Sequence, residues 1–179
     1  LHRQWTMEFA RVYARRCRIP FSFNTRFDNM DADMAEALAE AGLRLVYAGV
    51  ESGDEAIRNH VMLRNMSEDS MVQTAALYKK HRIKLLTENV IGVPGETFET
   101  AMRTLRVNMR IRPDVANASI FTPYPKLPMT QYAIDHGYFD GDFDRLNHNY
   151  YHDTVIHFPD ETDKRRVLNL RCFFSLLAR

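Results

Sequence analysis

The sequence predicts an α/β fold in which parallel strands alternate with helices. Apolar segments start near residues 21, 43, 84 and 117, and segments with helical periodicity separate them. The run LRLVYAGV at 43–50 is almost entirely apolar, which is typical of a parallel strand covered on both faces. Right-handed crossovers between such strands are compatible with a closed or partial barrel and with an open doubly wound sheet.

The first half of the chain shows clear signals at the ends of its elements. Residues 3–17 have apolar side chains at helical spacing, and Pro20 ends that helix because the residue before a proline avoids the α region. Residues 21–24 form the first predicted strand. Asp31 is a suitable N-cap for a helix over residues 32–41, and the apolar strand follows that helix.

The second half continues the alternation. Ser67 is the predicted N-cap of a helix that runs to a cluster of basic residues. A strand is predicted at 84–91, a helix at 97–110 and a fourth strand at 117–122. The residues from 128 onward contain two further helical segments around a polar loop.

Composition and charge exclude several classes of protein. The 179 residues include 24 Lys and Arg against 23 Asp and Glu, so no strong field favours nucleic acid or an acidic membrane. No apolar run reaches the roughly 20 residues that span a bilayer. The two cysteines, Cys17 and Cys172, lie far apart in the sequence, and a reducing, cytoplasmic location is expected.

Glycines cluster after the second and third predicted strands. Four of the seven glycines, at 49, 53, 92 and 95, lie at these two strand ends. Because parallel α/β proteins bind ligands at the carboxyl ends of strands, these glycines indicate close approach of a ligand to the backbone. Tight strand-to-helix turns without a ligand explain the same spacing, and both interpretations stay open at this point.

Two motifs at these strand ends resemble radical S-adenosylmethionine (SAM) enzymes, namely GVESGDEAIRNHVMLRNMS at 49–67 and NVIGVPGET at 89–97. The following SIFTPYPKLPMTQYAIDHGYFD at 119–140 is similar to the cobalamin-associated subgroup, which includes magnesium-protoporphyrin ester cyclase-like proteins and methyltransferases. The resemblance implies the middle and C-terminal part of a partial (β/α)6 TIM-like barrel. Residues 1–127 would form the barrel part, without its first two βα units, and residues 128–179 a helical extension packed on it.

The resemblance also implies an enzyme that cleaves SAM reductively at a [4Fe-4S] cluster, with cobalamin as a further candidate cofactor and a small molecule as substrate. Three cysteines in a CxxxCxxC motif hold such a cluster, and this sequence lacks that motif. We therefore expect the cluster ligands to lie outside this chain. The chain itself is then expected to contribute no metal ligand and no catalytic residue, and to be inactive alone.

The same resemblance assigns cofactor-binding roles to residues at the strand ends. Glu51 matches the residue that accepts hydrogen bonds from the SAM ribose, since a carboxylate can take both hydroxyls. Glu88 or Asn89 matches a second ribose-side position, and the strand register decides which one faces inward. Arg64 lies close to the position from which an arginine pairs with the SAM carboxylate. The other pocket candidates are the adenine-side residues Gly92, Val93 and Pro94, the wall residues Phe121 and Tyr124, and Ser52.

Two other functions compete with this interpretation. The missing cysteines suit a degenerate barrel that acts as a non-enzymatic interaction or scaffold module. Alternatively, the GVPGET turn binds a phosphate-containing ligand in an ordinary barrel enzyme, since strand-to-helix turns bind anions. Glu96 of that turn is interpreted as structural, because a carboxylate is favourable in a first helical turn.

The first predicted strand raises a question of assembly. If two βα units are missing before it, the strand at 21–24 presents an unpaired parallel edge. Because such an edge offers free amide and carbonyl groups to another chain, we expect the chain to dimerise through it or to be poorly soluble.

Overall fold

In the computed structural model, which describes residues 2–17, 19–146 and 153–178, four parallel strands form one sheet in sequence order. The strands are β1 (Phe21–Thr25), β2 (Leu43–Glu51), β3 (Lys84–Ile91) and β4 (Val115–Ile120). This arrangement confirms the predicted α/β class with parallel strands. It also brings the carboxyl ends of all four strands to one edge of the sheet.

Helices connect the strands and continue the chain after the sheet. They are α1 (Arg3–Arg16), α2 (Ala32–Ala41), α3 (Glu68–Lys80), α4 (Phe98–Ile111), α5 (Pro128–Asp135) and α6 (Glu161–Leu177). Short 3-10 turns lie at Phe27–Asn29 and Phe143–Arg145, and a π-helical turn at Ile57–Val61 follows β2. In the described part of the chain, none of the helices has the length and apolar character needed to cross a membrane.

Short polar side chains fix where the helices between the strands begin. The Asp31 carboxylate accepts from the Met34 amide at 2.9 Å, and the Ser67 hydroxyl accepts from the Ser70 amide at 3.2 Å. Both predicted N-caps are therefore confirmed. Thr97 is also a cap rather than the first helical residue, so α4 starts one residue later than predicted.

The fourth strand covers 115–120 instead of the predicted 117–122. Asp114 explains the earlier start, because its carboxylate accepts from the Leu85 amide at 2.9 Å and its own amide donates to the Leu85 carbonyl at 2.8 Å. These two bonds align the chain with β3 as soon as α4 has ended. The end of α4 is set by Arg112, whose φ of +51° lies in the left-handed region.

Side chains of the strands alternate between a face that helices cover and an opposite, less buried face. Val46, Ala48 and Val50 of β2 are buried in the core with side chains of α2 and α3. Tyr47 and Glu51 lie on the other face and are partly buried. β3 and β4 show the same alternation. The less buried face therefore carries the polar side chains of the strand ends.

Helix α6 packs across β4 and α4. Its Val167, Leu170 and Phe174 are buried in a cluster with apolar side chains of β3, α4 and β4. This contact covers the helix side of the β4 end of the sheet. The division of the chain near residue 127 into a barrel part and an extension remains a prediction.

Strand β1 lies at the other edge of the sheet, where in the described residues it pairs with β2 alone. Beside it α1 presents a row of aromatic side chains. Trp5 and Phe9 stack with 5.5 Å between ring centroids, and Tyr13 packs on Phe21 at 4.9 Å. Because Trp5 is 61% exposed, this edge combines unpaired backbone with accessible aromatic surface.

We expect the 179-residue chain to self-associate through this edge. The substitution Trp5→Glu places a charge in the aromatic row and should shift the chain toward a monomer, as measured by light scattering. The matched control is Phe173→Glu, which changes a similarly exposed aromatic residue (57%) on α6. A monodisperse monomer for the unchanged chain, or equal effects of the two substitutions, contradicts this expectation.

Candidate functional site

A cleft of about 600 Å³ opens at the carboxyl ends of β1, β2 and β3, on the less buried face of the sheet. A wider surface groove lies between α1 and α2, but no strand end contributes to its lining. The cleft is therefore the candidate functional site. Its lining residues are Asn24, Thr25, Arg26, Asn29, Tyr47, Gly49, Glu51, Arg64, Met66 and Glu88.

Glu51 ends β2 in an uncommon backbone conformation. Its φ is +66°, in the left-handed region that disfavours non-glycine residues, and the pairing of β2 with β3 shifts register between Gly49 and Glu51. The side chain folds back along the strand, so that a Cβ on Gly49 would overlap Oε1 of Glu51. The first glycine of the GVESG motif thus leaves the space over the strand that the Glu51 carboxylate occupies.

Two arginines surround the charge of Glu51. Arg64 Nη2 lies 2.6 Å from Oε1 of Glu51, whose side chain is 15% exposed. Burial raises the pKa of Glu51 above its usual value; Arg64 opposes this shift, Glu88 adds to it and Arg26 opposes it. Arg26 also donates from Nη2 to the Arg64 carbonyl at 2.6 Å and pairs with Asp28 at 2.8 Å. The cleft thus contains a partly desolvated carboxylate in contact with a guanidinium.

The register of β3 places the two ribose-side candidates, Glu88 and Asn89, on opposite faces of the sheet. Glu88 lines the cleft, and its Oε2 accepts from Asn117 Nδ2 at 2.9 Å. Asn89 points to the helix side, where it is buried, accepts from Asn108 Nδ2 at 2.7 Å and donates to the Asn117 carbonyl at 2.7 Å. The structure therefore brings Glu88 to the cleft and places Asn89 in the packing against α4.

Ser52 and Gly53 turn the chain away from the cleft. Ser52 is fully buried, and its hydroxyl accepts from the Asp54 amide at 3.2 Å. Gly53 donates to the Thr104 hydroxyl at 2.8 Å, and a Cβ on Gly53 would overlap the backbone of Arg103. The second glycine of the motif thus allows close packing on α4. The structure does not bring Ser52 to the cleft, because its side chain caps this turn instead.

The turn after β3 contains its own carboxyl group. Gly92 has a φ of +72°, and its amide donates to the Glu96 carboxylate, which also interacts with the Val93 amide. Burial raises the pKa of Glu96 to about 8, while these amides lower it and Asp54 raises it. Because an internal carboxyl group already accepts from the turn, the geometry argues against this turn as a phosphate site.

The remaining candidates lie in the core or beyond the end of β4. Val93 and Phe121 are buried together in a cluster with Phe139 and Ile156. Gly92 and Pro94 are also buried, and Tyr124 is 39% exposed beyond the end of β4. None of these residues belongs to the cleft lining in the part of the chain that the structure describes. Their roles near an adenine remain predictions.

Arg26 and Tyr47 line the cleft but carry no motif that assigns them a role. Arg26 directly follows β1, and the rule that ligands bind at strand ends predicts its place at this edge of the sheet. Tyr47 lies inside β2, two residues before Gly49 on the same face. The alternation of the strand is the signal that places it there, once the covered face is known.

Comparisons with known proteins agree with this fold. The sequence model of the radical SAM superfamily matches residues 2–107. An uncharacterized methyltransferase of Pyrococcus horikoshii is 28% identical over 116 residues, which are 65% of this chain and 25% of that protein. The anaerobic magnesium-protoporphyrin IX monomethyl ester cyclase of Rubrivivax gelatinosus is 25% identical over 182 residues, covering 97% of this chain and 32% of that protein.

Solved structures show the same fold at lower sequence identity. The radical SAM methyltransferase TsrM of Kitasatospora setae, solved with cobalamin and a [4Fe-4S] cluster, has a TM-score of 0.63 at 20% identity, covering 73% of this chain and 27% of that one. Coproporphyrinogen III oxidase (HemN) of Escherichia coli has a TM-score of 0.70 at 13% identity, covering 99% and 38%. The chain therefore spans about a third of the length of these proteins.

The left-handed backbone of Glu51 leads to a test of stability. Glu51→Gly and Glu51→Ala both remove the carboxylate, but only alanine retains a Cβ in the left-handed region. We expect the glycine variant to be more stable by about 1 kcal/mol, measured by urea unfolding. At Ser22, an exposed position of β1, the order of the same two variants should be reversed. Equal stability of the two Glu51 variants contradicts the assigned backbone conformation.

The buried carboxyl group of Glu96 leads to a test of pH dependence. Its pKa of about 8 in the fold exceeds the ordinary value of 4.5, so the folded state binds the extra proton between these values. Unfolding free energy should then fall with rising pH across this window, by up to about 1.4 kcal/mol per pH unit.

The matched variant for this test is Glu96→Gln, whose amide resembles the protonated acid in shape and lacks its titration. Thermal unfolding of both proteins from pH 4 to pH 9 should show the variant gaining stability relative to the unchanged protein as the pH rises. Parallel pH profiles of the two proteins are the outcome that rules out a buried, neutral Glu96.

Proposed function

The chain belongs to the radical SAM superfamily, and on that premise we propose that its cleft binds S-adenosylmethionine as part of the catalytic barrel of a SAM-cleaving enzyme. The observation that carries this proposal is the Glu51–Arg64 pair, which sets a carboxylate and a guanidinium 2.6 Å apart at the end of β2. These are the two charges that a ligand with a ribose diol and an amino-acid carboxylate needs.

The side chains of the cleft fit the polar groups of SAM. Ribose hydroxyls donate hydrogen bonds, and Glu51 with Glu88 offers carboxylate oxygens on one side of the cleft. The carboxylate of the methionine moiety requires donors, which Arg64 supplies in a planar fork. We assign Glu51 and Glu88 to the ribose and Arg64 to the carboxylate. When bound, SAM supplies a sulfonium centre that becomes reactive on reduction.

Each residue of the chain has a defined task in this proposal. Glu51 must be ionised to accept both hydroxyls, and Arg64 favours that state by lowering the pKa that burial raises. Gly49 leaves room for the carboxylate over the strand. Arg26 binds the carbonyl of Arg64 and thereby holds the backbone of the residue that meets the ligand carboxylate.

The iron–sulfur cluster of the family does not fit the residues of this chain. A cluster with one open iron requires three thiolates, whereas the sequence contains two cysteines. Both are exposed, and Cys17 caps the end of α1, at the amino edge of the sheet and away from the cleft. Among the described residues, no group of three or more His, Cys, Asp or Glu side chains is placed to hold a metal ion. We propose that the cluster ligands lie outside this chain, which is then inactive alone.

Cobalamin and the substrate belong to the same proposal. The methyltransferase TsrM, which shares the fold, binds cobalamin, and the chain resembles the ester cyclase along nearly its whole length. We propose a small-molecule substrate and, where cobalamin is used, its binding by another part of the protein. A degenerate barrel that acts as a scaffold is the second candidate, favoured by the cysteine count. Ligand binding at Glu51 separates the two.

The test is isothermal titration of the intact protein with S-adenosylhomocysteine, which carries the ribose and the carboxylate without the sulfonium charge. Glu51→Gln should weaken binding about tenfold or more, because a neutral amide replaces a charged acceptor. The control Glu99→Gln changes an exposed carboxylate of α4, paired with Arg106, and should leave the affinity unchanged. If the unchanged protein shows no binding, or if Glu51→Gln and Glu99→Gln bind with equal affinity, the result favours the scaffold function.

The pH dependence of the same titration adds a second readout. Because the pKa of Glu51 is raised, its carboxylate is protonated at a higher pH than an ordinary glutamate. Affinity for S-adenosylhomocysteine should therefore decline on acidification, and the decline should be absent in Glu51→Gln.

A further inference from the structure

Arg58 is a buried charged residue that has no role in the cleft described above. Among the described residues it is the largest side chain that is fully buried. It lies in the π-helical turn Ile57–Val61. Among the described residues no carboxylate lies within ion-pair distance of it, and its Nη2 atom has no hydrogen-bond partner. Burial accordingly lowers the pKa of Arg58. A buried guanidinium without an ion-pair partner is unfavourable for folding, so its hydrogen bonds must offset that cost.

The guanidinium of Arg58 joins two backbone segments. Nη1 donates to the Ser52 carbonyl at 2.8 Å, directly after Glu51. Nε donates to the Met66 carbonyl at 2.9 Å, two residues after Arg64. Arg58 therefore ties the end of β2 to the segment that carries the second charged residue of the cleft.

The neighbouring residue Asn59 strengthens the same connection. Its Oδ1 accepts from the Met66 amide at 3.1 Å, so both polar groups of the Met66 backbone are bound to the π-helical turn. In addition, the Arg64 amide donates to the Arg58 carbonyl at 3.0 Å. Three bonds from two consecutive residues thus fix the backbone on both sides of the Arg64 side chain.

The segment held in this way has a strained backbone. Leu63 and Asn65, on either side of Arg64, have φ values of +55° and +50° in the left-handed region. Two such residues so close together persist when surrounding contacts impose them. The bonds from Arg58 and Asn59 hold these conformations, together with the bond from Arg26 to the Arg64 carbonyl. If the Arg58 bonds are lost, we expect the segment to relax and the Arg64 guanidinium to move away from Glu51.

We propose that Arg58 is a positioning residue that fixes Arg64 relative to Glu51 and so makes the cleft selective for ligands that carry a carboxylate. This inference rests on the proposed function, in which Arg64 receives the carboxylate of the methionine moiety. Arg58 itself is fully buried and does not belong to the cleft lining in the described part of the chain.

The test compares two ligands in titrations of the intact protein. S-adenosylhomocysteine carries the amino-acid carboxylate, and 5′-methylthioadenosine has the same nucleoside without it. Arg58→Met keeps the length of the side chain and removes its donors. We expect about a tenfold loss of affinity for S-adenosylhomocysteine, as for a lost charged hydrogen bond, and no change for 5′-methylthioadenosine.

A double variant links the effect to Arg64. Arg64→Gln should cause a similar selective loss, and Arg58→Met combined with it should add nothing, because both remove the same contact with the carboxylate. Additive losses, or equal losses for the two ligands, would show that Arg58 supports the fold in general and would overturn the proposal.

A second variant applies where Arg58→Met does not fold. Asn59→Ala frees the Met66 amide without touching the buried guanidinium, and Asn59→Asp keeps the acceptor. The alanine variant should show the selective loss and the aspartate variant should restore affinity. An alanine variant with the affinity of the unchanged protein for both ligands overturns the proposal.

A ligand-free readout separates this inference from the proposed function. In a folded Arg58→Met variant, NMR titration of the Glu51 carboxyl carbon should show a further rise of its pKa, because displaced Arg64 no longer stabilises the charge. An unchanged titration contradicts the positioning role even if ligands bind. Absence of binding of either ligand to the unchanged protein, together with the shifted titration, overturns the proposed function and leaves the positioning of Arg64 supported.

Discussion

The Glu51 carboxylate can lie in the cleft because its backbone takes a path that few residues allow, and most of the site follows from that constraint. Gly49 leaves room beneath the carboxylate, and the left-handed conformation of Glu51 turns its side chain back along the strand. The chain must then leave the sheet at once, and Gly53 permits this where a Cβ would overlap the backbone of Arg103. Both glycines of the motif serve the placement of one carboxylate.

The contacts that stabilise this path lie on the other face of the sheet. The Thr87 hydroxyl donates to Asn108 at 2.5 Å, Asn108 donates to Asn89 at 2.7 Å, and Thr104 of the same helix accepts from the Gly53 amide. These buried polar groups join β3, α4 and the end of β2. Helix α4 thus fixes the end of β2 although it contributes no residue to the cleft lining. The GVESG motif and this hydrogen-bond network therefore stabilise the same turn at the end of β2.

Local signals in the sequence predict the helices and strands. They do not predict which face of a strand the helices cover. N-caps such as Asp31 and Ser67 act on amides three residues away, so their effect is visible in a short segment. Whether Glu88 or Asn89 enters the cleft depends on which face the helices cover, which no local pattern at 88–89 contains. Likewise an apolar residue such as Val93 can cover a ligand or join a core, and the residues that bury it come from distant parts of the chain.

In the proposed SAM site, the pairing of Glu51 with Arg64 is what would set which ligands the cleft favours. Each side chain is already neutralised by the other, so a ligand must offer a partner to both when it separates them. A simple anion that draws Arg64 away leaves the Glu51 carboxylate, whose side chain is only 15% exposed, without its partner, and this desolvated charge is unfavourable. A simple cation at Glu51 must displace the Arg64 guanidinium that already neutralises it. A molecule with hydrogen-bond donors and a carboxylate at a suitable spacing satisfies both side chains at once. Selectivity of the proposed SAM site therefore arises from the requirement that the Glu51 charge not be left unpaired, as much as from the attraction of each charge for its own part of the ligand.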